Sequence, residues 1–222
     1  MGGKIISFDV RGTLTTPRFT DLIWEEAIPK LYSEKTGIDL NSAKSYVFRE
    51  YEKIGEDRIE WYDIKYWFKH FGLGDNYRKL LKSYSHEVSY YPEVREVLEN
   101  LNKNRNKNKK YELIIISNAA REFLEVELEG IEDYFSYIFS APSDFNQIKK
   151  TPSFYLDICN ILKVKPSEVT HIGDNWFFDY IIPREVGIEA FYLERQGKKQ
   201  GEFIVKDLKE FEKKLLDLNF YN

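Results

Sequence analysis

Several side chains that could bind a metal ion or a phosphate stand where apolar runs of the sequence end. Asp9 lies near the end of the run KIISFDV, and Thr13 follows four residues later. The dipeptide Ser117-Asn118 follows the run YELIII. Carboxylate oxygens are hard ligands that suit Mg²⁺, while a lysine and a hydroxyl suit the oxygens of a phosphoryl group. Further groups of these types come later in the chain: Lys149 and Lys150 just before Pro152, then Asp174 and Asp179 after the run VTHI.

Each of these side chains also has an ordinary structural explanation. A serine often caps a helix, a lysine is usually solvated, and an aspartate often stabilises a turn or begins a helix. Four such positions in chain order, each at a strand end or in a loop, are poorly explained by chance. We therefore interpret them as one site, because ligands of an open parallel sheet bind at the carboxyl ends of its strands.

The segments that must bring these groups together alternate between strands and helices from residue 92 onward. Helical patterns separate the apolar runs, which indicates an α/β fold with a parallel sheet covered by helices on both faces. The predicted strands are Lys4–Val10, Tyr111–Ile116, Tyr137–Phe139, Val169–Ile172 and Ala190–Leu193.

The segment between the first strand and residue 92 has a different character. We predict a small all-helical domain at 17–90 and an α/β core domain made of 1–16 and 91–222. The predicted helices lie near Leu22–Thr36, Ser42–Ile54, Trp61–Phe71 and Tyr77–Glu87. The aromatic residues Trp61, Tyr62, Trp67 and Phe68 could line a pocket there, but their helical spacing favours a core.

Composition excludes several classes of protein. The 222 residues carry a formal charge of −4, which gives no overall field for nucleic acid or anionic lipid. The single Cys159 excludes an intramolecular disulfide and a cysteine-based zinc cluster. The basic stretch Asn102–Lys110 is interpreted as a solvated loop, because no aromatic residue interleaves with its charges.

Location and partners follow from the same composition. No apolar run approaches the roughly 20 residues of a membrane span, and no signal-peptide pattern opens the sequence. We expect a cytoplasmic protein, a monomer or homodimer, that binds a small molecule and neither nucleic acid nor membrane. Abundant Lys, Glu, Ile and Tyr suggest a thermophilic source.

The motifs resemble those of the haloacid dehalogenase superfamily of hydrolases, which are mostly phosphatases. FDVRGTLT is similar to the first family motif, with Asp9 as the nucleophile and Thr13 four residues on. IIISN is similar to the second, in which Ser117 binds the phosphoryl group, with Asn118 beside it.

The third and fourth motifs complete the resemblance. KKTPSFY is similar to the third, and its spacing favours Lys149 over Lys150 as the site lysine. HIGDNWFFDY is similar to the fourth, with Asp174 as a metal ligand and Asp179 as its partner.

The resemblance implies a Rossmann-like core domain, a helical cap of the C1 type and Mg²⁺ as the cofactor. In the implied reaction, Asp9 attacks phosphorus and forms an aspartyl-phosphate, while Ser117, Asn118 and Lys149 bind the substrate. The metal ligands would be Asp9, Asp174, Asp179 and the backbone carbonyl of Arg11. The substrate would be a small phosphorylated metabolite.

Arg11 departs from the family pattern, in which phosphatases carry an aspartate that protonates the leaving group and later activates water. Arginine stays protonated in proteins, so it cannot serve as that base. One hypothesis is a phosphatase in which another group does the proton transfer. Candidates in the helical segment are Asp57, Glu60, Asp63 and His70.

Two other hypotheses stay open. A dehalogenase-like hydrolase needs no acid, because halide leaves without a proton, and Tyr155 and the pair Ser117-Asn118 fit that subfamily. The spacing of Asp174 and Asp179 argues against it, since the dehalogenases do not use Mg²⁺. The last hypothesis is a weakly active or non-catalytic protein in which Arg11 pairs with Asp9 or a bound anion.

Overall fold

A single parallel sheet of six strands forms the centre of the α/β part. The computed structural model describes residues 4–105 and 111–218. Across the sheet the strands lie in the order third, second, first, fourth, fifth, sixth. In chain order they are β1 (Lys4–Phe8), β2 (Tyr111–Ser117), β3 (Tyr137–Ser140), β4 (Val169–Gly173), β5 (Glu189–Leu193) and β6 (Ile204–Val205).

The apolar side chains of the central strands alternate between two hydrophobic clusters. Ile5 of β1 lies in one cluster and Ile6 in the other. In β2, Ile114 and Ile116 share the cluster of Ile5, while Leu113 shares that of Ile6. Because successive side chains of a strand point to opposite faces, these continuous apolar runs are buried on both sides.

Helices cover both faces of the sheet, as predicted. Apolar residues of the helices at 94–105 and 208–218 pack with Ile6, and those of the helices at 152–162 and 182–185 pack with Ile5. The helices after residue 90 are α6 (Val94–Arg105), α7 (Arg121–Glu127), α8 (Ala141–Phe145), α9 (Pro152–Leu162), α10 (Ile182–Glu185) and α11 (Leu208–Leu218). A π-helical turn at Trp176–Ile181 precedes α10.

The segment before residue 90 is helical and builds a hydrophobic cluster of its own. Trp67 and Phe68 lie at its centre, so the core interpretation holds for these two residues. Ala120 and Phe123 join the same cluster, which places the helical segment against the start of α7, beside the end of β2. Its helices are α1 (Arg18–Leu22), a π-helical turn (Ile23–Ala27), α2 (Ile28–Thr36), α3 (Leu40–Ile54), α4 (Ile64–His70) and α5 (Tyr77–Ser83), with short 3₁₀ turns at Ile59–Tyr62 and Ser85–Glu87.

Two linkers join the helical segment to the sheet, and they run side by side. Thr15 and Tyr90 form an antiparallel bridge, and the Thr16 amide donates to the Ser89 carbonyl at 2.8 Å. The loop interpretation of the basic stretch is wrong for residues 102–105, which belong to the helix Val94–Arg105. Residues 106–110 lie outside the described residues, so the loop stays a prediction there. No helix among the described residues is long and apolar enough to cross a membrane.

The topology fixes where a site can form. The chain leaves β1 toward β2 on one side and later returns to β4 on the other. The loops after β1 and β4 therefore diverge and leave a crevice at the carboxyl ends of these two adjacent strands. Asp9 directly follows β1, and Asp174 directly follows β4.

Candidate active site

Lys150 lies between two buried carboxylates at the base of the crevice. Its ammonium donates to Asp9 Oδ1 at 2.6 Å and also contacts Asp179 Oδ1. The Lys150 side chain is only 1% exposed, and a buried ammonium requires such partners. The second Asp9 oxygen, Oδ2, receives no hydrogen bond from the described residues.

The expectation that Lys149 is the site lysine is corrected by this geometry. Lys149 donates instead to Asp57 of the helical segment at 2.9 Å, on the surface. The spacing to Pro152 does not distinguish two adjacent lysines. The structure distinguishes them, because the chain bends at Lys149 and only Lys150 is directed into the interior.

Asp179 is held by two other residues of the fourth motif, His171 and Asn175. His171 Nε2 lies 3.2 Å from Asp179 Oδ1, and its Nδ1 lies 2.7 Å from the Ser7 hydroxyl. The Asn175 amide donates to Asp179 Oδ2 at 2.9 Å. Glycine is required at position 173, because a Cβ there would lie 2.3 Å from the Asp179 carboxyl carbon.

Asp174 lies across the crevice, over the loop that follows β1. Gly12 passes beneath it with a φ of +84°, and a Cβ on Gly12 would lie 2.1 Å from Asp174 Oδ2. Glycine is thus required at this position both for its backbone conformation and for the close approach of the carboxylate.

The carboxylates of Asp9, Asp174 and Asp179 form a cluster that could hold a metal ion. One oxygen of each lies within 4.8 Å of the others. Three hard oxygen donors at this spacing fit Mg²⁺, which binds through a few carboxylates and keeps waters or substrate oxygens on its other positions. The part assigned to the Arg11 carbonyl stays a prediction.

The charges in this cluster shift one another's protonation. Burial raises the pKa of Asp9 well above its ordinary value, against the opposing effect of Lys150. The crevice removes hydration from Asp174 and, together with the nearby Asp179 charge, raises its pKa to about 6. Burial opposes ionisation of Asp179 as well, but Lys150 and His171 hold its pKa well below the usual range.

The pKa values of Lys150 and His171 shift in opposite directions. Burial alone would lower the pKa of Lys150, but the charges of Asp179 and Asp9 raise it above its ordinary value. Burial lowers the pKa of His171, so its ring is neutral near pH 7. A bound cation would relieve the repulsion among the three carboxylates.

Ser117 and Asn118 reach the same crevice from the end of β2. Both line a cavity of about 810 Å³ together with Asp9 and Asp174. The Ser117 hydroxyl accepts the Ala119 amide at 3.1 Å, so its own proton can be donated to a ligand oxygen. Asn118 Oδ1 is buried without a partner among the described residues.

Thr13 lies near the site but does not line the cavity. Its side chain is fully buried, and its hydroxyl has no hydrogen-bond partner among the described residues. The structure therefore brings together Asp9, Ser117, Asn118, Asp174 and Asp179, with Lys150 in place of Lys149. Thr13 is buried within the loop that follows β1.

Arg11 extends into the cavity and not toward Asp9. Its guanidinium lies 3.8 Å from Asp21 of α1, and its side chain is 49% exposed. An Arg11–Asp9 pair, one form of the non-catalytic hypothesis, is not formed.

The helical segment forms one wall of the cavity, and two of the aromatic residues that could line a pocket, Trp61 and Tyr62, lie in this wall. The four proton-transfer candidates in this segment are engaged elsewhere: Asp57 with Lys149, Glu60 with Arg58, Asp63 at the start of α4, and His70 with Glu50. None of them lines the cavity. Its walls carry Asp21, Glu25, Glu52 and Glu56 and an aromatic surface of Trp24, Phe48, Tyr51, Trp61, Tyr62 and Phe123.

Tyr155 does not line the cavity, although its ring lies 5.4 Å from that of His171. Its ring is buried in α9, and its hydroxyl donates to the Phe178 carbonyl at 2.8 Å. Its spacing therefore does not support a dehalogenase-type role.

Comparison with known proteins agrees with this geometry. The sequence profile of the haloacid dehalogenase-like hydrolases matches residues 4–187. Comparison with curated protein sequences gives no match.

Solved structures resemble the whole chain. A HAD phosphatase from Thermococcus onnurineus is 27% identical, with a TM-score of 0.79 and coverage of 97% of this chain and 98% of that one. A 2-haloacid dehalogenase from Pseudomonas syringae is 20% identical, with a TM-score of 0.59 and coverage of 97% and 99%. A HAD-fold protein, YfnB of Bacillus subtilis, solved bound to magnesium, is 17% identical, with a TM-score of 0.64 and coverage of 95% and 97%. The last two likenesses concern the fold alone.

Proposed function

Because the chain belongs to the haloacid dehalogenase-like hydrolases, we propose that it is a Mg²⁺-dependent phosphatase that works through an aspartyl-phosphate on Asp9. The observation that carries this proposal is the cluster of Asp9, Asp174 and Asp179 with Lys150 between two of its members. Three carboxylates in one crevice suit a divalent cation and an anionic substrate, and the Thermococcus neighbour is itself described as a phosphatase.

Each residue has a defined part in the proposed reaction. Lys150 holds Asp9 Oδ1, which leaves Oδ2 to attack phosphorus and form the aspartyl-phosphate. Ser117 and Asn118 orient the phosphoryl oxygens at the end of β2. Asp174 and Asp179 would complete the metal site, and His171 keeps Asp179 in place. Bound Mg²⁺ would supply positive charge against the phosphoryl oxygens.

The helical segment 17–90 is proposed to act as a cap over a core made of 1–16 and 91–222. It has a hydrophobic cluster of its own, it supplies one wall of the cavity, and only two adjacent linkers connect it. Substrate would bind between cap and core, where water can be excluded from the reacting groups.

A dehalogenase-like reaction is the second candidate, and Arg11 is the observation that favours it. A guanidinium that lines the same cavity as the nucleophile could stabilise a departing halide, which needs no proton. The metal-type carboxylate cluster favours the phosphatase instead.

Hydrolysis of para-nitrophenyl phosphate tests the proposal. We expect release that requires Mg²⁺, is abolished by chelator and falls by roughly 10³-fold or more in Asp9→Asn. Asp133→Asn, at an exposed aspartate away from the crevice, is the matched control and should retain wild-type activity. Release of chloride from 2-chloropropionate, with no phosphate release from the ester, would instead establish the second candidate.

A further inference from the structure

Arg11 is the only cationic side chain among the described residues that line the cavity. It shares the cavity with Asp9 and Asp174, and its guanidinium is half-exposed, 3.8 Å from Asp21. A guanidinium holds its protons permanently, so it offers charge and hydrogen bonds but does not transfer a proton.

The geometry of phosphoryl transfer places the leaving group on the side of the cavity that lies opposite Asp9. Attacking and leaving oxygens lie in line through phosphorus, so the leaving group departs away from Asp9, toward the wall formed by the helical segment. The carboxyl groups of that wall are half-exposed or exposed. They are Asp21, Glu25, Glu52 and Glu56.

The hydroxyl groups of the two tyrosines in that wall are engaged with backbone carbonyls. The Tyr51 hydroxyl donates to the Trp24 carbonyl at 3.3 Å, and the Tyr62 hydroxyl donates to the Glu56 carbonyl at 3.2 Å. The described wall thus carries a permanent positive charge at Arg11, and both of its tyrosine hydroxyls are engaged with backbone carbonyls.

Resting on the proposed phosphatase function, we infer that the substrate is a phosphate ester whose leaving group departs as a stable anion beside Arg11, without a proton from the enzyme. Asp9 Oδ2 forms a bond to phosphorus, and the bond from phosphorus to the leaving oxygen breaks with its electron pair on that oxygen. The anion then takes a proton from water after release. Water later cleaves the aspartyl-phosphate to restore Asp9 and yield inorganic phosphate.

The other residues of the wall indicate the chemical character of that leaving group. Aromatic rings from the helical segment face the cavity, including Trp24, Phe48 and Trp61. Glu25, Glu52 and Glu56 form no ion pair within the described part of the chain, so they would repel a second negative charge on the leaving group. An aryl phosphate with an otherwise uncharged ring satisfies both conditions.

A leaving-group series tests the inference. We would measure kcat/KM in Mg²⁺ for substituted phenyl phosphates of increasing phenol pKa and for benzyl phosphate, using the wild type, Arg11→Gln and Arg11→Asp. Both variants should fold, because the Arg11 side chain is half-exposed, and thermal unfolding would check this.

We expect kcat/KM to fall steeply with rising phenol pKa in the wild type, with benzyl phosphate roughly 10²-fold or more below para-nitrophenyl phosphate. Arg11→Gln should lower the value for para-nitrophenyl phosphate by roughly 10²-fold. Arg11→Asp, which restores a carboxyl group, should raise the ratio of benzyl to para-nitrophenyl phosphate hydrolysis.

Two contrary results have different meanings. Equal kcat/KM for benzyl and para-nitrophenyl phosphate in the wild type would overturn the leaving-group inference and leave the phosphatase proposal standing. A lack of Asp9-dependent release from every ester would overturn the phosphatase proposal, and this inference with it.

Discussion

At the scale of single residues, two adjacent lysines have opposite surroundings. Lys150 is buried between Asp9 and Asp179, whereas Lys149 forms a surface pair with Asp57, whose side chain is 91% exposed. Removing one member of a buried charge network leaves the others uncompensated, while an exposed pair contributes little to stability.

We therefore expect Lys150→Ala to abolish phosphatase activity and to lower the free energy of unfolding by about 3 to 5 kcal/mol. Lys149→Ala should keep both close to wild type. Steady-state kinetics and urea unfolding of the two variants would measure this. Comparable losses of activity in both variants would mean that Lys150 has no special role.

The sequence identified most of the site at this scale because its carboxylates and Ser117 lie at or just beyond strand ends. It did not select Lys150, because the course of the backbone before α9, which bends at Lys149, decides which of the two neighbours is buried. It also did not reveal that His171 supports Asp179, since one strand residue carries no spacing signal for a contact eight positions away.

At the scale of elements, the loop after β1 is shaped to receive Asp174. Gly12 has a positive φ and leaves no room for a Cβ beneath that carboxylate. Gly37, at the end of α2, has a similar φ of +76°, but a Cβ there would meet no atom within 4 Å. A comparison of the two glycines therefore separates backbone strain from steric displacement.

Gly12→Ala and Gly37→Ala should each lower the free energy of unfolding by about 1 kcal/mol through backbone strain. Only Gly12→Ala should also displace Asp174, and this variant should therefore lose the thermal stabilisation that Mg²⁺ gives the wild type. Thermal unfolding with and without Mg²⁺ measures both effects. Full stabilisation of Gly12→Ala by Mg²⁺ would contradict the role given to Asp174.

Amphipathic patterns identified the main helices, because their buried faces repeat at regular intervals. Continuous apolar runs identified five of the six strands, because these strands are buried on both faces. They did not predict β6, an edge strand of two residues, or α8, a helix of five. Such short elements contain too few residues for a period to be recognised. The π-helical turns likewise leave no mark on the hydrophobic pattern.

At the scale of the whole molecule, Glu127 lies where the helical segment joins the sheet. Its Oε1 accepts from Thr15 at 3.0 Å and from Thr20 at 3.5 Å, and its side chain is almost fully buried. Burial raises the pKa of this carboxyl from 4.5 to about 7.

The protonated form of Glu127 is thus favoured by folding. The free energy of unfolding should fall as pH rises from about 4.5 to about 7, by about 3 kcal/mol from this group, and the loss should be complete above that range. Glu127→Gln should remove this component, as urea unfolding at about pH 5 and about pH 8 would show.

Glu125→Gln is the matched control, because Glu125 lies on the same helix with its side chain 46% exposed. It should keep the pH dependence of the wild type. An unchanged pH dependence in Glu127→Gln would show that Glu127 does not titrate in this range.

The sequence predicted the parallel sheet and the separate helical segment, but not the cavity between them. Asp21, Glu25 and Glu52 lie on helices whose exposed faces look alike in sequence. Which face meets the site depends on how the helical segment packs against Ala120 and Phe123, and that contact joins distant parts of the chain.

A covalent intermediate on Asp9 distinguishes the proposed chemistry from its alternatives, and trapping that intermediate is the sharpest test. Protein quenched in acid during turnover of para-nitrophenyl phosphate with Mg²⁺ would be digested and analysed by mass spectrometry. We predict one phosphoryl group on the peptide that contains Asp9, absent without Mg²⁺ and absent in Asp9→Asn. Turnover that continues in Asp9→Asn, or a phosphoryl group found on another residue, would refute this mechanism.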